Sequence, residues 1–148
     1  MKTTTDKLEE LLKLGSTYLT KASDSEITYK ANPEKWSKKE LLGHLIDSGI
    51  NNLQRFTEIQ FEEKPYKIRK YHQNELVKAN NYQHSEIKEL INFWLAINNR
   101  ILMVIKNQTE ITLSYTIEIE KEHTADLQFL IIDYVNHMEH HINQIITK

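Results

Sequence analysis

Turn-forming residues are scarce along this chain. Three glycines and two prolines serve 148 residues. A strand-rich fold needs a turn every few residues, and those turns draw on glycine and proline. Helices need far fewer, so the shortage favours an all-α architecture.

Hydrophobic periodicity then places four helices. The first is expected over about residues 5–22, with Leu8, Leu11, Leu12, Tyr18 and Leu19 on one face. The second has the clearest start signal. In "WSKKEL", Ser37 can accept from the backbone N–H of Glu40 while Glu40 reaches back to Ser37, a capping box. Trp36 and Leu41 flank it at the positions of a hydrophobic staple, and Pro33 holds the approach extended. This helix is expected over 38–62, before Pro65 breaks the pattern. Residues 64–83 are polar with aromatic punctuation and read as a long connection with room for a short helix. A loop that long in a compact domain is often functional.

The third helix is expected over 85–106, with Ile87, Leu90, Ile91, Trp94, Leu95, Ile101, Leu102 and Ile105 as its apolar set. In "EITLSYTIEIEKEHT" the β-branched residues alternate, which suggests a short extended segment or hairpin. The last helix is expected over 124–147, with Asp126 in its positive first turn. Four long amphipathic helices make a four-helix bundle. One domain over 1–148 is expected, large enough to bury roughly 70% of its unfolded surface.

Composition narrows the function. The formal net charge is -2, which lacks the basic field of a nucleic-acid binder. No apolar run reaches the ~20 residues needed to span a bilayer. The N-terminal stretch is amphipathic and acidic, unlike a signal peptide. A cytoplasmic location is therefore expected. With no cysteine there is no disulfide and no thiolate ligand. Any metal site must use histidine, carboxylate or water.

Three of the 7 histidines crowd into "DYVNHMEHHINQI" as His137, His140 and His141. On a helix, His137 and His141 are four apart and share a face. Such a pair can bind one metal ion. Tyr134, Met138, Ile142 and Ile145 border that side, so the pair lies at the edge of the buried stripe. His140 points ~60–100° away and reads as a supporting or surface residue. A convincing metal site needs a third ligand. The second helix offers His44 among Leu41, Leu45 and Phe56. Ser48, Asn51 and Arg55 follow it in a polar seam. From the residues alone, a three-histidine site and a chance polar boundary both stay open. His72, His84 and His123 fall in connecting segments and are assigned to solvent.

The stretches "KWSKKELLGHLIDSGINNLQRF" and "DYVNHMEHHINQI" together resemble the DinB family, also called the DinB/YfiT-like metalloenzymes. The resemblance rests on a Trp-Ser helix start, a His followed by Leu-x-Asp, and a closing H-x-x-H-H-x-x-Q-I, and it covers essentially the whole chain. It implies up-down-down-up connectivity. It also implies a divalent metal, zinc or nickel, held by His44, His137 and His141, with water at the open positions. His140 is not a usual ligand in the family. Relatives include transferases that use low-molecular-weight thiols and maleylpyruvate-isomerase-like enzymes. The family name refers to DNA-damage-inducible expression, not DNA binding.

A three-imidazole site with an open position suits a catalytic metal, which can acidify bound water, polarise a carbonyl or activate a thiolate. The expected function is a metal-dependent hydrolase or thiol-dependent transferase acting on a small molecule. The alternatives are a non-catalytic metal- or ligand-binding stress-response bundle and a purely structural bundle. Asp47 could orient a ligand or act as general base, or be a surface carboxylate. Asn51 and Arg55 could bind an anionic substrate, or tie helices together. Tyr71 and Gln73 could cover the metal mouth. Finally, Leu42, Ile46, Ile50 and Leu53 lie ~80–160° from the side carrying Leu41 and Ile59. That arc exceeds what one core needs. It suggests a two-fold homodimer, unless the 64–83 connection covers it.

Overall fold

The computed structural model describes residues 1–147. In chain order the elements are α1 (Lys2–Lys21), α2 (Asp24–Thr28), α3 (Lys38–Glu58), β1 (Tyr66–Lys67), α4 (Gln73–Ala79) and a 3-10 turn at Tyr82–His84. They continue with α5 (Ile87–Lys106), α6 (Glu110–Leu113), β2 (Thr116–Glu120), β3 (His123–Asp126) and α7 (Leu127–Thr147). The four long helices, α1, α3, α5 and α7, bury their apolar faces in one cluster.

Side-chain contacts fix their directions. Glu9 pairs with Lys106 while Gly15 meets Trp94, so α1 and α5 are antiparallel. Lys7 pairs with Glu139 while Gly15 also meets Ile142, so α1 and α7 are parallel. Gly49 faces Ile97 and Gln60 bonds Gln108, so α3 and α5 are parallel. His44 meets His141 while Phe56 stacks on Tyr134, so α3 and α7 are antiparallel. The result is the expected up-down-down-up bundle.

Parallel α3 and α5 explain the long connection. A helix of 21 residues spans about 30 Å, and the chain must return that distance before α5 begins. Residues 59–86 make the return. They carry β1, α4 and the 3-10 turn across the outside of α3. β1 then joins a small sheet of order β1-β2-β3. It pairs parallel to β2 (Tyr66↔Ile117), and β2 pairs antiparallel to β3 (Ile117↔Ala125).

Several boundaries differ from expectation. The short helix α2 is an addition. It is held to the start of α3 by Glu26–Lys38 at 3.0 Å and Asp24–Lys39 at 3.6 Å. Helix α3 stops at Glu58, not residue 62. The last helix starts at Leu127, because 123–126 pair as a strand. Asp126 still serves the helix start: its Oδ1 accepts from the Phe129 N–H at 2.8 Å.

The apolar surplus assigned to a second copy is mostly covered within the chain. Leu42 and Ile46 are fully buried and Leu53 is partly so, leaving Ile50 44% exposed. Helix α3 is contacted by α2, α4, the 3-10 turn, α5 and α7. The face therefore gives no support to the expected homodimer. Among the described residues, no helix is long and apolar enough to cross a membrane.

Candidate metal centre

The start of α3 is built with care. The Ser37 Oγ accepts from the Glu40 N–H at 3.1 Å, and Glu40 accepts from the Ser37 N–H at 2.9 Å, completing the capping box. One turn later the helix must pass under an aromatic ring. A Cβ on Gly43 would lie 2.1 Å from the Tyr82 ring, so only glycine admits this docking of the crossover. The next residue, His44, is fully buried.

His44 faces α7. Its Nε2 lies 3.0 Å from the His137 Nε2. The His44 ring centroid is 5.0 Å from that of His137 and 4.7 Å from that of His141. The α7 pair, one turn apart, have centroids 4.6 Å apart. One nitrogen of each imidazole lies within 4.8 Å of the others. Two ligands bound to one zinc at 2.0–2.1 Å sit about 3.3 Å apart in tetrahedral geometry. The three side chains therefore converge closely enough to share an ion.

Their protonation suits a metal as well. Burial, then the neighbouring imidazoles His137 and His141, lowers the pKa of His44 to about 3. Burial, then His141 and His140, lowers that of His137 to about 4. Burial also lowers that of His141, against a hydrogen bond to Gln144 that raises it. All three are neutral near pH 7, the form in which imidazole ligates. The donor set fits a divalent cation of the zinc and nickel class.

Two residues that the sequence shows only as parts of motifs, Gln144 and Trp36, turn out to support the cluster. The Gln144 Oε1 lies 2.8 Å from the His141 Nδ1, so that nitrogen carries the proton and Nε2 keeps its lone pair. The Gln144 Nε2 donates to the His140 Nε2 at 3.2 Å. The i+3 spacing from His141 was the available signal. The second residue is Trp36, whose ring lies 4.8 Å from that of His44 at a 31° tilt. The His44 Nδ1 is buried with no hydrogen-bond partner among the described residues. His140 is exposed, as are His72, His84 and His123.

The polar seam has hydrogen bonds of its own. Asp47 is buried, not a surface carboxylate. Its Oδ1 accepts from the Tyr82 hydroxyl at 2.6 Å and from Asn80 at 3.3 Å, and burial raises its pKa. Asn51 donates to the Asp47 carbonyl within its own helix. Arg55 donates to the Arg69 carbonyl at 2.7 Å and lies over the Tyr71 ring. Asp47 and Arg55 tie the crossover to α3. Asn51 and Arg55 line a recess of about 180 Å³ with Tyr66 and Arg69. Tyr71 is thus engaged by Arg55, and Gln73 is exposed at the first residue of α4. The aromatic ring beside the histidines is that of Trp36.

The model of the DinB superfamily matches residues 7–145. No curated protein matches the sequence. Among solved structures, YfiT from Bacillus subtilis aligns with a TM-score of 0.87 at 20% identity, over 98% of this chain and 83% of that one. It is described as a probable metal-dependent hydrolase with an unusual four-helix bundle topology. The mycothiol-dependent maleylpyruvate isomerase aligns with a TM-score of 0.76 at 14% identity, over 97% of this chain. This chain spans 60% of the isomerase's length. At these identities the likeness is one of fold.

Proposed function

From the premise that the chain belongs to the DinB superfamily, we propose that His44, His137 and His141 hold one divalent metal ion, zinc or nickel, in a metal-dependent enzyme. The observation that carries this reading is the convergence of three neutral imidazoles from two helices, with ligand atoms within 4.8 Å of one another. The reaction class is hydrolysis or transfer to a low-molecular-weight thiol, on a small-molecule substrate, in the cytoplasm. Of the two structural relatives, one is described as a probable metal-dependent hydrolase and the other as an isomerase that depends on the thiol mycothiol, which supports a metal and a thiol as the chemistry to test.

A metal held by three imidazoles supplies Lewis acidity at an open position, enough to acidify a water or thiol or to polarise a carbonyl. The chain's own residues supply the rest. Gln144 fixes the His141 tautomer. Trp36 packs on the buried His44 ring and limits its tilt. The capping box and the Gly43–Tyr82 contact hold the His44 backbone in place.

A non-catalytic metal-binding bundle is the second reading. One observation favours it: Asp47 and Arg55 are committed to the crossover, not to the histidines. The two readings are separated by one experiment on untagged protein. Metal content is measured first, and one equivalent is expected. Turnover is then screened on ester, amide and thiol-conjugation substrates, with and without chelator. Chelator-sensitive turnover supports the enzyme. Stoichiometric metal without turnover supports the binding bundle. Protein that takes up no zinc or nickel sinks both.

A further inference from the structure

A cavity of about 420 Å³, walled in part by Trp36, plays no part in the chemistry above. It lies between α2 and the start of α3. Its wall is mostly apolar: the rings of Tyr29 and Trp36, the methyl of Ala31, and the stems of Lys35 and Lys38. Trp36 belongs to two places at once, because the ring that lines this cavity is also the one 4.8 Å from His44. Tyr29 is 69% exposed, so a large aromatic ring stands at the rim with little of its surface used in folding. A concave apolar wall with a few polar groups is the usual form of a small-molecule site.

The charges around it are unequal. Lys38 and Glu26 face the cavity but neutralise each other at 3.0 Å, and both bond the Tyr18 hydroxyl. Lys35 differs. Its ammonium has no partner among the described residues. The cavity therefore offers one uncompensated positive charge beside two aromatic rings.

We propose that this cavity binds a small aryl carboxylate, with its ring against Tyr29 and Trp36 and its carboxylate at Lys35. The far end of the ligand then points past Trp36 toward His44. That orientation rests on the metal reading above, whereas the binding does not.

The test uses 2-naphthoate, titrated calorimetrically into the full-length, metal-free protein, with uncharged 2-naphthamide as control. Saturable one-to-one binding of naphthoate is expected. Lys35→Ala should weaken it about fivefold, the range for a rim charge, and leave naphthamide unchanged. Ala31→Trp, at an exposed loop position, should fill the mouth and abolish binding of both. No saturable binding, or naphthoate binding indifferent to Lys35→Ala, overturns the proposal. For the orientation, the proton relaxation of bound naphthoate is compared in cobalt(II)- and zinc-loaded protein. Strong enhancement by cobalt is expected, and equal relaxation overturns the orientation. Protein that binds naphthoate but no metal would sink the metal reading while upholding the cavity.

Discussion

Helix α3 carries two polar groups, and they are satisfied in opposite ways. At its start, His44 turns to two imidazoles of α7, where the nearest polar atom is another imidazole nitrogen and Nδ1 has no partner among the described residues. From Asp47 to Arg55, the side chains find hydroxyl, amide and carbonyl partners on the crossover or on α3 itself. Buried polar atoms are nearly always paired. Apart from Asp47 Oδ2, which has no partner among the described residues, the seam is paired within the protein. Three imidazoles gathered around one point are the arrangement that the proposed metal ion would use. The difference separates a seam bonded to the fold from the three histidines to which the proposed function gives ligand work.

The sharpest way to break that assignment is to remove a ligand. His44→Ala should lower metal affinity by more than about a hundredfold, because losing a ligand outweighs losing a residue that merely supports one. Equilibrium competition with a chromogenic chelator measures it. His140→Ala should leave one equivalent of metal bound. If His44→Ala binds metal as tightly as the parent, the cluster is only packing.

Acid should act on the cluster before the seam. The folded pKa of His44, about 3, lies below its unfolded value of about 6.5. Between those values the unfolded chain binds the extra proton, so stability falls as pH falls through that window. The slope for His44 is about 1.4 kcal/mol per pH unit. Denaturant midpoints of metal-free protein between pH 6.5 and 4 report it. His44→Gln should reduce the slope and leave the part that comes from His137 and His141.

Gln144 sharpens the comparison from outside the ligand set. Gln144→Ala frees the His141 Nδ1 and should cost about 10- to 100-fold in metal affinity. Fold stability should change little at this half-buried position. Unchanged affinity would mean that helix packing alone orients His141.

The two groups also differ in how plainly they could be read from the sequence. The pair His137 and His141 was legible because one helical turn joins them, a local relation, whereas His44, 93 residues from His137, was joined to them only by the family resemblance. The seam was not legible, because the partners of Asp47 are Asn80 and Tyr82, more than thirty residues on. The same contrast runs through the fold. Long amphipathic periods gave all four main helices. Helix α2 has five residues, too few for a period, and its ion pairs to Lys38 and Lys39 hold it. Strand β1 exists because Tyr66 meets Ile117, which no local pattern announces. Residues 124–126 looked helical until pairing with β2 claimed them. Leu42 and Ile46 looked surplus because the crossover that shares in covering α3 could not be placed.

The smallest expected effects test the seam itself. Tyr82→Phe removes the 2.6 Å bond to Asp47 and leaves Oδ1 only the longer one from Asn80. The cost should be about 1–3 kcal/mol, the usual loss when a buried acceptor is deprived of its donor. Asp47→Asn keeps an acceptor for Tyr82 and removes a buried charge whose Oδ2 has no partner among the described residues. Burial raises the pKa of Asp47, so the folded protein holds its proton more tightly than the unfolded chain does. Its ionisation therefore costs stability as pH rises above about 4. Relative to the parent, Asp47→Asn should be more stable at pH 7 than at pH 4, because the parent alone loses stability as this carboxyl ionises. Metal affinity should not move. A loss of turnover of about a hundredfold or more in Asp47→Asn, with metal retained, is the mark of a general base. It would transfer Asp47 from the seam to the histidine site.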